Sequence, residues 1–132
     1  MAPVAAGDGF SAEQRHDIDR AIRAAETVSR YEFSVYVGAA DGEPHGFAQR
    51  LHATLVAPDR SVLVMVDPDA RSLEVVTGSA VRRDLPDESV RLAIATMQST
   101  FEAGDLVGGI KRGVALLADA ARKPQMLHTD QP

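Results

Sequence analysis

The sequence predicts a single small α/β/α sandwich with elements in the order αβαββαα around a small mixed sheet. Three observations carry this. "YEFSVYVG", "SVLVMV" and "SLEVVTG" have strand length and strand composition; amphipathic helical repeats stand before, between and after them; and only "DPDAR" separates the last two strands. A chain of 132 residues with 45% hydrophobic residues can bury one real core and is too short for two ordinary ones. The domain is placed at residues 11–121, with residues 1–10 and 122–132, the latter "RKPQMLHTDQP", expected to be mobile because they are small or polar and aperiodic.

Helix one begins at "SAEQ", where Ser11 and Gln14 have capping-box spacing and Ile18, Ala21, Ile22 and Ala25 recur on one face, so it should run from about Ala12 to Ser29. In "YEFSVYVG", Phe33, Val35 and Val37 alternate with Ser34 and Tyr36, the period of a strand. "AADGEP" is turn chemistry. Pro44 then suits a first helical turn, and Phe47, Leu51 and Leu55 carry a second helix to about Val56. "SVLVMV" is unbroken and apolar, as expected of a strand covered on both faces. Strand, polar turn with Asp67, Pro68 and Asp69, and strand again read as a hairpin.

Two helices close the chain. "DLPDESVRLAIATMQSTFEAG" has Asp84 and Asp87 at capping spacing, Pro86 in the first turn, a stripe of Val90, Ile94, Met97 and Phe101, and Gly104 at the C-cap. "DLVGGIKRGVALLADAA" follows, capped by Asp105, with Leu106, Ile110, Val114 and Leu117 inward. Gly109 and Gly113 are expected to allow close packing of this helix on the sheet or a neighbouring helix. The first two strands should be parallel through a right-handed crossover, with the third antiparallel to the second.

Composition narrows the function classes. With 14 basic against 19 acidic residues, a net charge of -5 gives no general attraction to nucleic acid or anionic lipid. No cysteine is present, which excludes disulfides, thiolate zinc sites and a cysteine nucleophile. No stretch approaches the roughly 20 apolar residues that span a bilayer, and "MAPVAAGDGF" lacks the pattern of a leader. A soluble, cytoplasmic protein is expected, with an unidentified protein partner, no nucleic acid and no membrane insertion; the sequence sets no oligomeric state. Lys111 and Lys123 are the only lysines, which leaves few candidates for a catalytic amine.

Three motifs, "PDRSVLVMVDPDARSLEVVTG", "LPDESV" and "FEAGDLVGGIKRGVALL", together resemble the TPM domain, named for thylakoid-lumen, photosystem-repair and receptor-modulating proteins. The chain is especially similar to short actinobacterial members of unknown function. The likeness covers roughly residues 11–121 and is most specific in Phe101, Gly104-Asp105, Gly109-Ile110 and Gly113. It implies a similar α/β/α sandwich. For function it implies acid phosphatase activity, divalent-cation binding or an accessory role in a larger assembly.

The family's acidic positions match Asp59, Asp87 and Asp105, which makes these the candidate metal ligands, for magnesium or calcium; no other cofactor is implied. Hard cations need about six oxygen ligands, and the topology could gather three carboxylates at one end of the sheet. Arg82 stands where the family has an acidic residue after its third strand, and Ser61 where it has a glycine; a guanidinium there opposes a nearby cation. The plain alternative makes Asp87 and Asp105 helix caps and Asp59 a turn residue.

Other motifs carry less. Gly78, Ser79 and Arg82 form a candidate anion site at a strand-to-helix junction, against Ser79 as a simple cap. Asp67 and Asp69 have the spacing of an aspartyl phosphatase nucleophile and acid, yet a strand follows at once where that chemistry needs a crossover helix, so both are read as turn residues. His16, His45, His52 and His128 show no zinc-ligand spacing, and Ser29, Ser61 and Ser79 lack a nucleophile-elbow setting. The first expectation is therefore a non-catalytic, protein-binding accessory domain with a cation site, and the alternative is a metal-dependent phosphatase.

Overall fold

The computed structural model describes residues 9–122. Most of the two expected mobile ends, together with His128 and Lys123, lies outside the described residues. The helix α1 (Ala12–Ser29) leads into β1 (Glu32–Val37), α2 (Pro44–Ala53), a 3-10 turn (Pro58–Arg60), β2 (Ser61–Asp67) and β3 (Ser72–Thr77). A four-residue helix α3 (Ser79–Arg82) precedes α4 (Asp87–Glu102) and α5 (Leu106–Ala121). The order anticipated from the sequence holds, with two short elements added.

Strand β2 is central. It pairs parallel with β1, Phe33 opposite Val62 and Val37 opposite Val66, and antiparallel with β3, from Val62 opposite Thr77 to Asp67 opposite Ser72. Every residue of β2 is buried, because helices cover both faces, as its unbroken apolar run requires. Alternation sorts the side chains. Val62, Val64 and Val66 join Phe33, Val35 and Val37 under α1, α4 and α5, whereas Leu63 and Met65 meet Ala48, Phe47 and Leu51 of α2. The layers are unequal, three long helices on one face and one on the other.

Local chemistry sets the helix ends. Ser11 Oγ accepts from Gln14 N at 3.0 Å and Gln14 Oε1 from Ser11 N at 2.9 Å, a complete capping box. Helix α2 ends at Ala53, three residues before the expected end, with Thr54 as C-cap and Val56 exposed. His52 is buried, and its Nε2–H donates to the Ser61 carbonyl at 3.0 Å, tying the end of α2 to the start of β2. Gly104 ends α4 at φ +90°, the left-handed backbone a C-cap glycine supplies.

The α4–α5 contact is close because two glycines make it so. A Cβ at Gly109 would lie 2.4 Å from Phe101 Cε1, and one at Gly113 2.3 Å from Met97 Sδ. The deepest side chains of α4 are Ala93 and Met97, so the buried stripe is rotated from the expected one, and Val90, Ile94 and Phe101 flank it half-buried.

One expected cap is replaced. Asp84 does not cap α4: Pro86 occupies the N-cap position with no side-chain bond, and Asp87 is the first helical residue. The Asp84 carboxylate instead accepts a hydrogen bond from the buried Tyr31 hydroxyl, which has the Ala80 carbonyl at 3.2 Å as a second acceptor. Burial first, and then the bond to Asp84, raise the Tyr31 pKa above that of an ordinary phenol. The Arg60 guanidinium lies 4.9 Å from the Tyr31 ring centroid and donates to the Arg30 carbonyl at 2.8 Å. No helix of the described residues is long and apolar enough to cross a membrane.

Candidate functional site

The candidate metal ligands are not brought together. Asp59 is exposed in the 3-10 turn at the start of β2, and Asp87 is exposed in the first turn of α4 at the same end of the sheet. Asp105 lies beyond the other end of α4. At roughly 1.5 Å of rise per residue, that helix of 16 residues is about 24 Å long, so Asp87 and Asp105 cannot share an ion. Asp105 is engaged as a cap, its Oδ1 accepting from Gly108 N at 2.8 Å. Among the described residues no three His, Cys, Asp or Glu side chains form a group that could hold a metal ion.

The candidate anion donors are also occupied. Gly78 N donates to the Ser61 carbonyl at 3.0 Å, continuing the ladder. Arg82 folds back so that its Nη1 donates to the Thr77 carbonyl. Ser79 begins α3 without capping it; Gly78 is the N-cap and its neighbours make no side-chain cap bond. Helix α3 has one turn only, too short for an appreciable dipole.

The opposite end of the sheet offers a different arrangement. A cavity of about 510 Å³ opens between the β2–β3 turn and the α4–α5 junction, outside the carboxyl end of the central parallel strand, where open α/β sheets bind ligands. Its apolar part includes Val66, Pro68, Leu73, Phe101 and Leu106; its polar part includes Asp67, Arg71, Ser72, Gln98 and Glu102. Gln98 and Glu102 are one turn apart on α4 and so share a face.

Asp67, read from the sequence as a turn residue, does hold the turn, and it also lines this cavity. It is buried, with Oδ1 accepting from Ala70 N at 3.2 Å and Oδ2 from Ala40 N at 3.1 Å. One carboxylate thus fixes the hairpin and ties it to the loop after β1. The bond to Ala70 was legible in "DPDAR"; the one to Ala40, 27 residues away, needs the parallel pairing of β1 and β2. Asp69 is exposed in the turn.

Arg71 was not singled out by sequence reasoning. It ends the turn at φ +55°, a left-handed backbone unusual for a residue with a side chain, and it is exposed at the cavity rim. Neither Arg71 nor Glu102 makes a side-chain hydrogen bond or ion pair among the described residues; the ion pairs found there join His45 to Glu74 and Arg122 to Asp119. The available signal was a turn that closes on arginine where glycine or asparagine is usual.

The model of the DUF5130 family, a domain of unknown function, matches residues 3–118. The chain belongs to the DUF5130 family. Two curated relatives, the uncharacterized proteins MT2543 and Rv2468c from two strains of Mycobacterium tuberculosis, are each 29% identical to it over 101 residues, 76% of this chain and 60% of theirs. The DUF5130 chain thus spans about 60% of the length of these relatives.

Among solved structures, the NMR structure of the BA42 protein of the psychrophile Bizionia argentinensis matches with a TM-score of 0.78 at 18% identity, over 89% of this chain and 84% of that one. The N-terminal domain of the cg2496 protein of Corynebacterium glutamicum gives 0.74 at 14%, over 92% and 80%. An N-terminal domain from P. gingivalis gives 0.72 at 21%, over 89% and 80%. These likenesses establish a shared small α/β fold for this DUF5130 member and carry no activity with them.

Proposed function

We propose that this DUF5130 domain is a non-catalytic binding module, an accessory unit that engages a protein partner through the cavity at the β2–β3 turn. The observation that carries the reading is the cavity at the β2–β3 turn with two charged rim side chains that no described residue pairs. At the Asp59 end, Gly78, Arg82, Asp84 and Tyr31 are engaged within the chain. At the other end, a hollow of mixed apolar and polar lining is rimmed by Arg71 and Glu102, whose charges have no partner among the described residues. Binding sites are typically concave and mostly apolar, with a few placed polar groups. The resemblance to TPM domains, among which accessory roles occur, supports the same reading.

The alternative, a metal-assisted phosphatase, requires Asp59, Asp87 and Asp105 around one ion, and the length of α4 opposes it. The test has two arms. The first compares partners crosslinked to the parent and to Leu106→Glu; Leu106 is half-buried at the first position of α5, where an added carboxylate suits the helix dipole, so the fold is expected to persist while the hollow becomes charged. Partners held by the parent and lost by the variant are expected. The second arm assays phosphomonoester hydrolysis with magnesium and calcium. Hydrolysis that disappears in Asp87→Asn or Asp105→Asn, with the fold intact, would replace this reading with the phosphatase.

A further inference from the structure

We propose that the cavity recognises a peptide carboxyl terminus whose last side chain is apolar; this rests on the binding-module reading and names what the module binds. Arg71 stands at φ +55°, a conformation that strains a residue carrying a Cβ and that glycine would occupy freely. Arg30 shares that backbone, at φ +69°, as the C-cap of α1; Arg71 differs in lying at the rim of a cavity. Its planar fork matches a carboxylate in two parallel hydrogen bonds, and no acidic side chain of the described residues holds it. Asp67 lies in the same cavity, yet its oxygens receive Ala40 N and Ala70 N, which orients it toward the turn.

Across the hollow, α4 presents Gln98 and Glu102. A carboxamide can donate to a carboxylate oxygen, and a carboxylate accepts from the backbone N–H of a terminal residue. Between these groups Leu73, Phe101 and Leu106 form a half-buried apolar floor. The volume of about 510 Å³ is enough for one large apolar side chain and the backbone next to it. Two carboxylates, Asp67 and Glu102, line the cavity beside one guanidinium, so a dianionic phosphate is disfavoured more than a single carboxylate. A single carboxylate on Arg71, with an N–H directed at Glu102, satisfies both charged groups together. Capture of a chain end by fixed polar groups is an established mode of peptide recognition.

The experiment is an amide NMR titration of the full chain with three probes: acetyl-Ala-Ala-Leu with a free carboxyl terminus, the same peptide as its terminal amide, and N-acetylleucine. The acid peptide is expected to shift the amides of residues 71–73 and 98–106, and the amide peptide and N-acetylleucine to bind at least about tenfold more weakly, the loss of one charge-assisted contact or of the preceding residues. Arg71→Gly suits the left-handed backbone, so its spectrum away from the turn is expected to match the parent while affinity for the acid peptide falls at least about tenfold.

Equal binding of acid and amide peptides would overturn the inference and leave a module that takes an internal segment. N-acetylleucine binding as tightly as the acid peptide would overturn it in favour of a small-acid site. Absence of shifts at the cavity with all three probes at millimolar concentration would also overturn it, whereas the binding-module reading is judged separately by the partners that Leu106→Glu loses.

Discussion

Gly78→Ala tests whether the candidate anion residue is there for packing. The backbone of Gly78 has an ordinary extended φ of −75°, so conformational freedom does not explain the glycine. An alanine Cβ would lie 2.1 Å from the Pro58 carbonyl oxygen and 2.5 Å from both carbonyl atoms of Asp59. These are backbone atoms and cannot rotate aside. Relief requires the 3-10 turn to lift from the end of β3, and that turn is pinned by Ser61 Oγ donating to the Ala57 carbonyl at 2.7 Å and by Arg60 donating to Arg30 at 2.8 Å. Overpacking typically costs about 1–3 kcal/mol, and a clash with fixed backbone belongs at the upper end, about 3 kcal/mol. At roughly 3–5 °C per kcal/mol for a domain of this size, the melting temperature should fall by about 10–15 °C in a thermal scan followed by circular dichroism. A variant melting within about 2 °C of the parent would refute the packing argument.

Other outcomes follow from single contacts. Asp105→Ala removes the cap on Gly108 N and should cost about 1 kcal/mol in urea unfolding. Asp67→Ala leaves Ala40 N and Ala70 N without their acceptor; about 2–3 kcal/mol is expected, with amide exchange accelerated at both positions. The Glu74 hydrogen bond, then its charge, raise the His45 pKa above the usual histidine value of 6.5. That group's contribution to stability is therefore complete below the unfolded pKa and is lost as pH rises through the folded one; in Glu74→Gln, the proton-detected titration of His45 should move down toward 6.5, and an unchanged midpoint would remove Glu74 as the cause. Arg71→Gly relieves the left-handed strain of an L-residue but adds unfolded-state freedom, so its stability should stay within about 1 kcal/mol of the parent.

What the sequence made legible was local. The capping box of Ser11 and Gln14, the unbroken apolar run of β2 and the Asp105 cap each depend on residues within a few positions of one another, and each is present in the fold. The misreadings involve distant partners. Asp84 and Asp87 have capping spacing, but Tyr31, 53 residues from Asp84, offers a buried hydroxyl that competes for the carboxylate. The short helix α3 and the 3-10 turn were missed because neither is long enough to show a period. The candidate ligands lie apart for a related reason: Asp59, Asp87 and Asp105 all sit at loop ends, and only the direction of α4 decides which loop ends share an end of the sheet.

That direction bears on function as well. Helix α4 carries Asp87 at one end of the sheet and Glu102 at the other, so of the carboxylates that the resemblance singles out, Asp59 and Asp87 lie away from the cavity and Asp105 sits between two of its lining residues, Gly104 and Leu106. At the first end, beside Asp59, several polar groups are engaged within the chain: the Tyr31 hydroxyl donates to Asp84, the Arg82 guanidinium to Thr77 and the Gly78 N–H to Ser61, while Asp59 and Asp87 are exposed. A ligand at these groups would have to displace contacts already made, which costs more than displacing water. At the second, the bonds of Asp67 fix the shape of the hollow while Arg71 and Glu102 remain solvated at its rim. A ligand there exchanges only water, and the apolar floor adds about 25 cal/mol for each Å² it covers. The bonds at the first end serve stability, and the proposed binding role rests on the solvated rim of the second.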